Sequence, residues 1–123
     1  MNTTTLKKSS GLIASDKVEG TNVYNAEGEK LGSVDCVMLD KRSGKVAYAL
    51  MSFGGFLGMG EEYHPLPWGT LTYDEERDGY IVSLTKDQLK GAPTVKRNEN
   101  HRLNDQTFGQ SVFGYYEMNP YWI

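Results

Sequence analysis

Apolar and polar residues alternate along much of this 123-residue chain, and glycines punctuate the alternating runs. A period of two puts successive side chains on opposite faces of a strand. The pattern predicts strands over roughly 22–25, 30–41, 45–53, 62–67, 70–74 and 79–84. The connections “NAEGEK”, “KRSGKV” and “ERDGYI” each carry a glycine. A type I turn followed by a left-handed residue gives a hairpin with a bulge. Gly28, Gly44 and Gly79 are expected in that left-handed position, because glycine has no Cβ to clash at positive φ.

Two of these strands are apolar on both faces. In “KVAYALMSF”, Val46, Tyr48 and Leu50 point one way, and Ala47, Ala49, Met51 and Phe53 point the other. “VDCVML”, from Val34 to Leu39, behaves in the same way. A strand covered on both faces belongs in a closed sheet with another element packed outside it. Short strands with glycine turns fit a small barrel better than a long open sheet. The expected fold is therefore mainly β: a small six-stranded barrel with a short closing helix and a C-terminal aromatic helical tail.

Around the strands the pattern changes. Residues 1–12 read as a disordered leader, and the barrel domain is expected over 13–93. “SDKVEG” reads as one helical turn, with Ser15 as its cap and Gly20 ending it. In “TKDQLKGAP”, Thr85 and Gln88 stand at capping-box spacing and Pro93 prevents continuation, which predicts the short closing helix. Residues 94–123 form a linker and a tail. “VKRNENHRLN” is a polar linker, whereas “DQTFGQSVFGYYEMNPYWI” repeats Phe108, Val112 and Tyr115 or Tyr116 at helical spacing. The aromatic face of this tail has three readings. It covers its own barrel, covers a neighbouring copy, or touches a membrane surface.

Composition narrows the functions. The formal net charge is -3, so nucleic acid is not an expected partner, because phosphate backbones draw basic surfaces. No apolar run is long enough to span a bilayer, and no signal-peptide pattern opens the chain. Cys36 is the only cysteine. These features lead to a cytoplasmic expectation.

Candidate chemistry is sparse. “FGGFLGMGEEYHPLPW” packs four glycines into eight residues, yet Tyr63 stands where a dinucleotide fingerprint requires its third glycine. His64, His101 and Cys36 lack paired metal-ligand spacing. The acidic run Asp74-Glu75-Glu76 lies at a turn and lacks the alternating ligands of a calcium loop. Cys36 reads as a small strand thiol and His64 as a structural or partner contact. No catalytic residue, cofactor or metal is expected. The alternative is a small ligand-binding or enzymatic barrel using Glu62, Tyr63 and His64 beside the glycine-rich loop.

The stretch “GTNVYNAEGEKLGSVDCVMLDKRSGKVAYALMSFGGFLGMGEEYHPLPW” resembles the PRC-barrel family, whose namesake is the cytoplasmic domain of the photosynthetic reaction centre H subunit. A related barrel forms the C-terminal domain of a ribosome maturation factor. The resemblance is carried by Val23-Tyr24-Asn25, Gly28 to Gly32, Gly44-Lys45-Val46, and Phe53 to Gly58 with Leu66-Pro67-Trp68. It implies that the glycine-rich segment is architectural, linking two strands, with Trp68 anchoring the second. It supplies no catalytic residues. The transmembrane helix of H subunits has no counterpart in this sequence, nor does the domain preceding the maturation-factor barrel. A direct role in electron transfer or on the ribosome is therefore not expected.

The expectation is a non-catalytic protein-interaction module, docking on a protein at the cytoplasmic membrane face. A homodimer is also expected, because Phe56, Leu57 and Met59 and the tail carry more apolar surface than one small barrel covers. The candidate interaction surface comprises Phe56, Leu57, Met59, His64, Phe108, Tyr115, Tyr116, Tyr121 and Trp122.

Overall fold

A computed structural model describes residues 11–53 and 62–122. Its strands are β1 (Asn22–Tyr24), β2 (Lys30–Leu39), β3 (Val46–Phe53), β4 (Glu62–Pro67), β5 (Thr72–Asp74), β6 (Gly79–Ile81) and β7 (Val95–Lys96). Its helices are α1 (Ser15–Val18), α2 (Lys86–Lys90) and α3 (Gln106–Tyr115), with 3-10 turns over Trp68–Thr70 and Arg97–Asn104. No described helix is long and apolar enough to cross a membrane.

The strands form one sheet in the order β5-β6-β1-β2-β3-β4-β7. Neighbours are antiparallel except for the parallel pair β1 and β6. Seven strands replace the six expected, and main-chain pairing does not close them into a ring among the described residues. The additional strand is β7, which lies in the segment read as a polar linker. Tyr63 pairs with Val95, and Val95 is buried at 1% exposure. Two residues are too short to show periodicity, so this strand is specified by its pairing with β4 rather than by local pattern.

Two local expectations change at the ends of elements. Gly28 and Gly44 do take positive φ, but in the third turn Asp78 takes it instead, at φ 53. Gly79 answers a different demand: a Cβ there would lie 2.8 Å from the Asn22 carbonyl oxygen. Ala14, not Ser15, is the residue before α1, and it makes no side-chain cap. The capping box at Thr85 and Gln88 forms with both hydrogen bonds in place.

The two faces of β3 build two cores. Ala49, Met51 and Phe53 pack inward with Val23, Leu31, Val34, Leu66, Val82 and Leu89. Tyr48 and Leu50 face the other way, toward Val95, Leu103, Val112 and Phe113. Ala47 joins this second cluster, near the point where pairing with β2 shifts register. β2 also serves both cores. Its pairing steps from Val34 with Met51 to Cys36 with Leu50, leaving Asp35 as an extra residue. That bulge changes the phase of the strand, so Val34 and Val37 share the first cluster and Cys36 and Met38 the second.

The element outside β3 is the chain's own C-terminal segment. Asp105 caps α3 by accepting the Thr107 amide. After α3, the Met118 amide donates to the Phe113 carbonyl and the Glu117 amide to the Gly114 carbonyl. Glu117 takes the left-handed conformation, φ 58. This is a Schellman turn, which reverses the chain. Tyr121 and Trp122 thereby return across the helix to pack on Phe113, at ring-centroid distances of 6.0 and 5.9 Å.

Candidate functional site

The residues singled out in the sequence divide among three places. Phe56, Leu57 and Met59 lie outside the described residues. His64 is interior, at 6% exposure, and therefore offers no exposed surface. Phe108, Tyr116, Tyr121 and Trp122 come together, half-buried, around the second core. Tyr115 stands at its edge at 41% exposure, with its ring 5.1 Å from that of Tyr116.

His64 has a structural arrangement. Its Nε2 lies 2.6 Å from the Leu89 carbonyl oxygen. A carbonyl only accepts, so Nε2 carries the proton and Nδ1 keeps a lone pair. That Nδ1 is buried without a hydrogen-bond partner, and the ring meets Phe53 edge-on at 5.4 Å. Burial holds the imidazole pKa below its ordinary value, against the opposing effects of the Leu89 hydrogen bond and Glu62. Beside it, the Tyr115 hydroxyl donates to the Gln88 carbonyl. The barrel and the tail thus take adjacent carbonyls at the end of α2.

Strand alternation separates the trio of the enzymatic alternative. Tyr63 packs with the second core, while His64 faces Phe53 at the first. Glu62 is exposed and accepts a hydrogen bond from Thr94. These three side chains do not converge on one point. Among the described residues, no three of His, Cys, Asp and Glu are gathered as metal ligands. An open depression of about 570 Å³ lies against Thr72, Tyr73, Asp74, Glu75, Glu76 and Ile81. There the Tyr73 hydroxyl donates to Asp78, which pushes the phenol pKa up to about 12.

Beside the second core, Asp35 holds Arg97 through a 2.6 Å ion pair, tying β2 to the segment that leads into α3. Both side chains are partly exposed, so the pair orients this segment more than it stabilises it. Burial raises the Cys36 thiol pKa, with Arg97 opposing, so the group stays a thiol at neutral pH.

The centre of the arrangement is the seam between α3 and the outer face of β3. Val112 and Phe113 are buried at 0% and 3% exposure. Tyr48 lies 5.1 Å from Phe113 and 6.1 Å from Tyr121, ring to ring. Arg102 stacks 4.4 Å over Phe108 at one end. Two hydroxyls in the seam, those of Tyr48 and Tyr116, are buried without hydrogen-bond partners. Burial pushes the pKa of both phenols well above the ordinary value. An unpartnered buried hydroxyl costs about 1–3 kcal/mol.

Sequence reasoning did not single out Tyr48 or Phe113 as site residues. The signal for Tyr48 is the two-sided apolar pattern of β3. The signal for Phe113 is its place four residues after Gly109, a helical spacing that puts the two on one face.

The sequence model of the PRC-barrel domain family matches residues 11–89. An uncharacterized protein of Deinococcus radiodurans is 31% identical over 71 residues, which is 58% of this chain and 25% of that protein. The aligned stretch thus spans about a quarter of the relative's length. Residues 90–123, with β7 and α3, lie beyond the family match.

Proposed function

Because this chain belongs to the PRC-barrel family, we infer that it is a non-catalytic interaction module that engages a partner protein through the aromatic seam on the outer face of β3. One observation carries this reading. Phe108 on α3, which is docked against the central strand, gathers half-buried with Tyr121 and Trp122, from beyond the helix's closing turn, around the buried Phe113. Aromatic anchors on a rigid element are what protein interfaces use most, because they contribute large contact area at little entropic cost. The groups with chemical potential are engaged in the fold: His64 on Leu89, Tyr115 on Gln88 and Tyr73 on Asp78.

The same reading locates the module in the cytoplasm, on a protein at the membrane's cytoplasmic face, where the family's namesake barrel lies. The net charge of -3 disfavours nucleic acid. A homodimer through the half-exposed rim is the accompanying expectation, since exposed aromatic patches associate and two-fold pairing is the commonest closed form.

The test is a quantitative pull-down from native lysate, comparing the wild-type chain with Tyr121→Ala/Trp122→Ala. A protein enriched by the wild type and lost by the double variant is expected. Enrichment of nothing, or enrichment unchanged by the variant, overturns the reading. Light scattering at micromolar concentration checks the dimer. A mass of twice 13.8 kDa is expected, and a concentration-independent 13.8 kDa removes the dimer.

A further inference from the structure

The hairpin of β2 and β3 ends in a projecting tip. Leu39 and Val46 form its last pair. Beyond them the Asp40 amide donates to the Lys45 carbonyl, and the Gly44 amide to the Asp40 carbonyl. Residues 41–45 are all exposed, and a Cβ on Gly44 would meet no described atom within 4 Å. The tip carries Lys41, Arg42 and Lys45, and none of the three forms an ion pair among the described residues. Its acid, Asp40, is engaged inside the turn, where the carboxylate accepts the Ser43 hydroxyl at 2.7 Å and the Ser43 amide at 3.3 Å. The hydroxyl bond holds that carboxyl below its ordinary pKa, so Asp40 stays charged. Three cations less one carboxylate leave the tip at +2 in a chain of net charge -3, so the remainder carries -5. Beside these charges Leu39 stands 54% exposed.

We propose that this tip is a contact for an anionic lipid bilayer, in which Leu39 enters the interfacial layer and Lys41, Arg42 and Lys45 rest among the lipid phosphates. Three features favour a bilayer over a protein. The tip is convex, and a protein would need a matching cavity to bury Leu39, whereas a fluid headgroup layer parts around it. Apolar and basic residues side by side suit the boundary between acyl chains and anionic headgroups. The long basic side chains also keep their charge at phosphate height while their stems lie in apolar surroundings. At physiological salt, charges more than about 8 Å away are screened. A projecting tip therefore feels the surface before the acidic remainder of the chain is repelled. The inference deepens the membrane-face reading above and rests on it only for the partner's place. Met38, one residue behind Leu39, packs in the second core and pairs with Tyr48, whose ring meets Tyr121. The aromatic seam thus begins beside the tip, and a docked module presents it close to the bilayer.

The test is co-sedimentation of the purified full-length chain with vesicles at physiological ionic strength. One set holds phosphatidylglycerol and phosphatidylcholine in equal parts, and the other phosphatidylcholine alone. Binding to the mixed vesicles and none to the neutral ones is expected. Arg42→Gln should weaken it about fivefold, and Lys41→Gln/Arg42→Gln/Lys45→Gln about a hundredfold. Leu39→Ser should weaken it about fivefold and leave its salt dependence unchanged, because it removes apolar insertion and no charge. All four positions are exposed, and unchanged urea midpoints check that the variants fold. Lys86→Gln/Lys90→Gln, which removes two exposed charges on α2 instead, should bind as the wild type does.

Absence of binding to the mixed vesicles overturns the proposal, and so does equal binding to neutral ones. A triple variant or Leu39→Ser that binds like the wild type also overturns it. Equal losses in the α2 and tip variants would make the attraction one of overall charge, and the tip would have no special part. If vesicles do not bind while the triple variant loses a protein captured in the pull-down, the tip belongs to an acidic protein surface and the lipid contact falls. Vesicle binding with no captured protein overturns the seam reading and leaves the tip contact standing, so the two failures are told apart.

Discussion

Gly109 and Tyr48 meet across the seam between α3 and β3, where a Cβ on the glycine would stand 3.2 Å from the tyrosine hydroxyl. That hydroxyl has lost water and gained no acceptor. Tyr48→Phe should therefore stabilise the chain by about 1 kcal/mol, because it removes the unpartnered group and keeps the ring contacts. Urea unfolding of the two chains checks this. A loss of stability of similar size would show that the hydroxyl is hydrogen-bonded in solution.

The turn after α3 offers a second stabilising change. Glu117 holds φ 58 at the left-handed position of the Schellman turn. A residue with a Cβ adopts that conformation at a cost of about 1 kcal/mol. Glu117→Gly should recover roughly that amount in the docking of the tail, less the added freedom of glycine in the unfolded chain. The measurement is hydrogen-exchange protection of the α3 amides, which should rise. Protection that falls would mean that the glutamate side chain contributes more than the backbone strain.

His64 makes stability depend on pH. Burial keeps its folded pKa below the ordinary 6.5, so the unfolded chain takes the proton first as pH falls. The unfolded state then binds more protons, and stability rises with pH. The contribution is complete above about pH 6.5 and is lost as pH falls from there toward the folded pKa, at no more than about 1.4 kcal/mol per pH unit. Comparing urea midpoints at pH 7.5 and 5.5 for the wild type and His64→Gln isolates it, because the carboxylates are common to both. The wild type should lose more stability on acidification, and equal losses would contradict the buried neutral imidazole.

Much of the sheet was legible because β1 to β6 follow period-two patterning and glycine turns. The third turn departed because an aspartate also tolerates the left-handed conformation, so Asp78 took it and Gly79 served close approach to Asn22. β7 was hidden in “VKRNENHRLN”, where only Val95 and Leu103 are apolar and both are buried. Its pairing with β4 is a tertiary choice that no local window contains. The two-sided pattern of β3 did announce an outer cover, but it could not say whose. The tail's stripe of Phe108, Val112 and Tyr115 or Tyr116 was visible, while the tail's deepest aromatic residue, Phe113, stands one position off that stripe. His64 was read as a candidate contact on chemistry alone. Its burial depends on the number of layers over β4, which alternation does not count.

The C-terminal segment, which lies beyond the family match, covers the outer face of β3 and is expected to open as a unit apart from the sheet. Residue-resolved amide hydrogen exchange of the full-length chain at pH 7 tests it most directly. The α3 amides, Gly109 to Asp105 and Tyr116 to Val112 among them, are expected to open together. Their opening free energy should lie at least about 2 kcal/mol below that of the Ala49, Leu50 and Met51 amides of β3, which stay protected until global unfolding. Identical opening free energies for α3 and β3, in one cooperative event, would make the tail an inseparable part of the core and contradict the account.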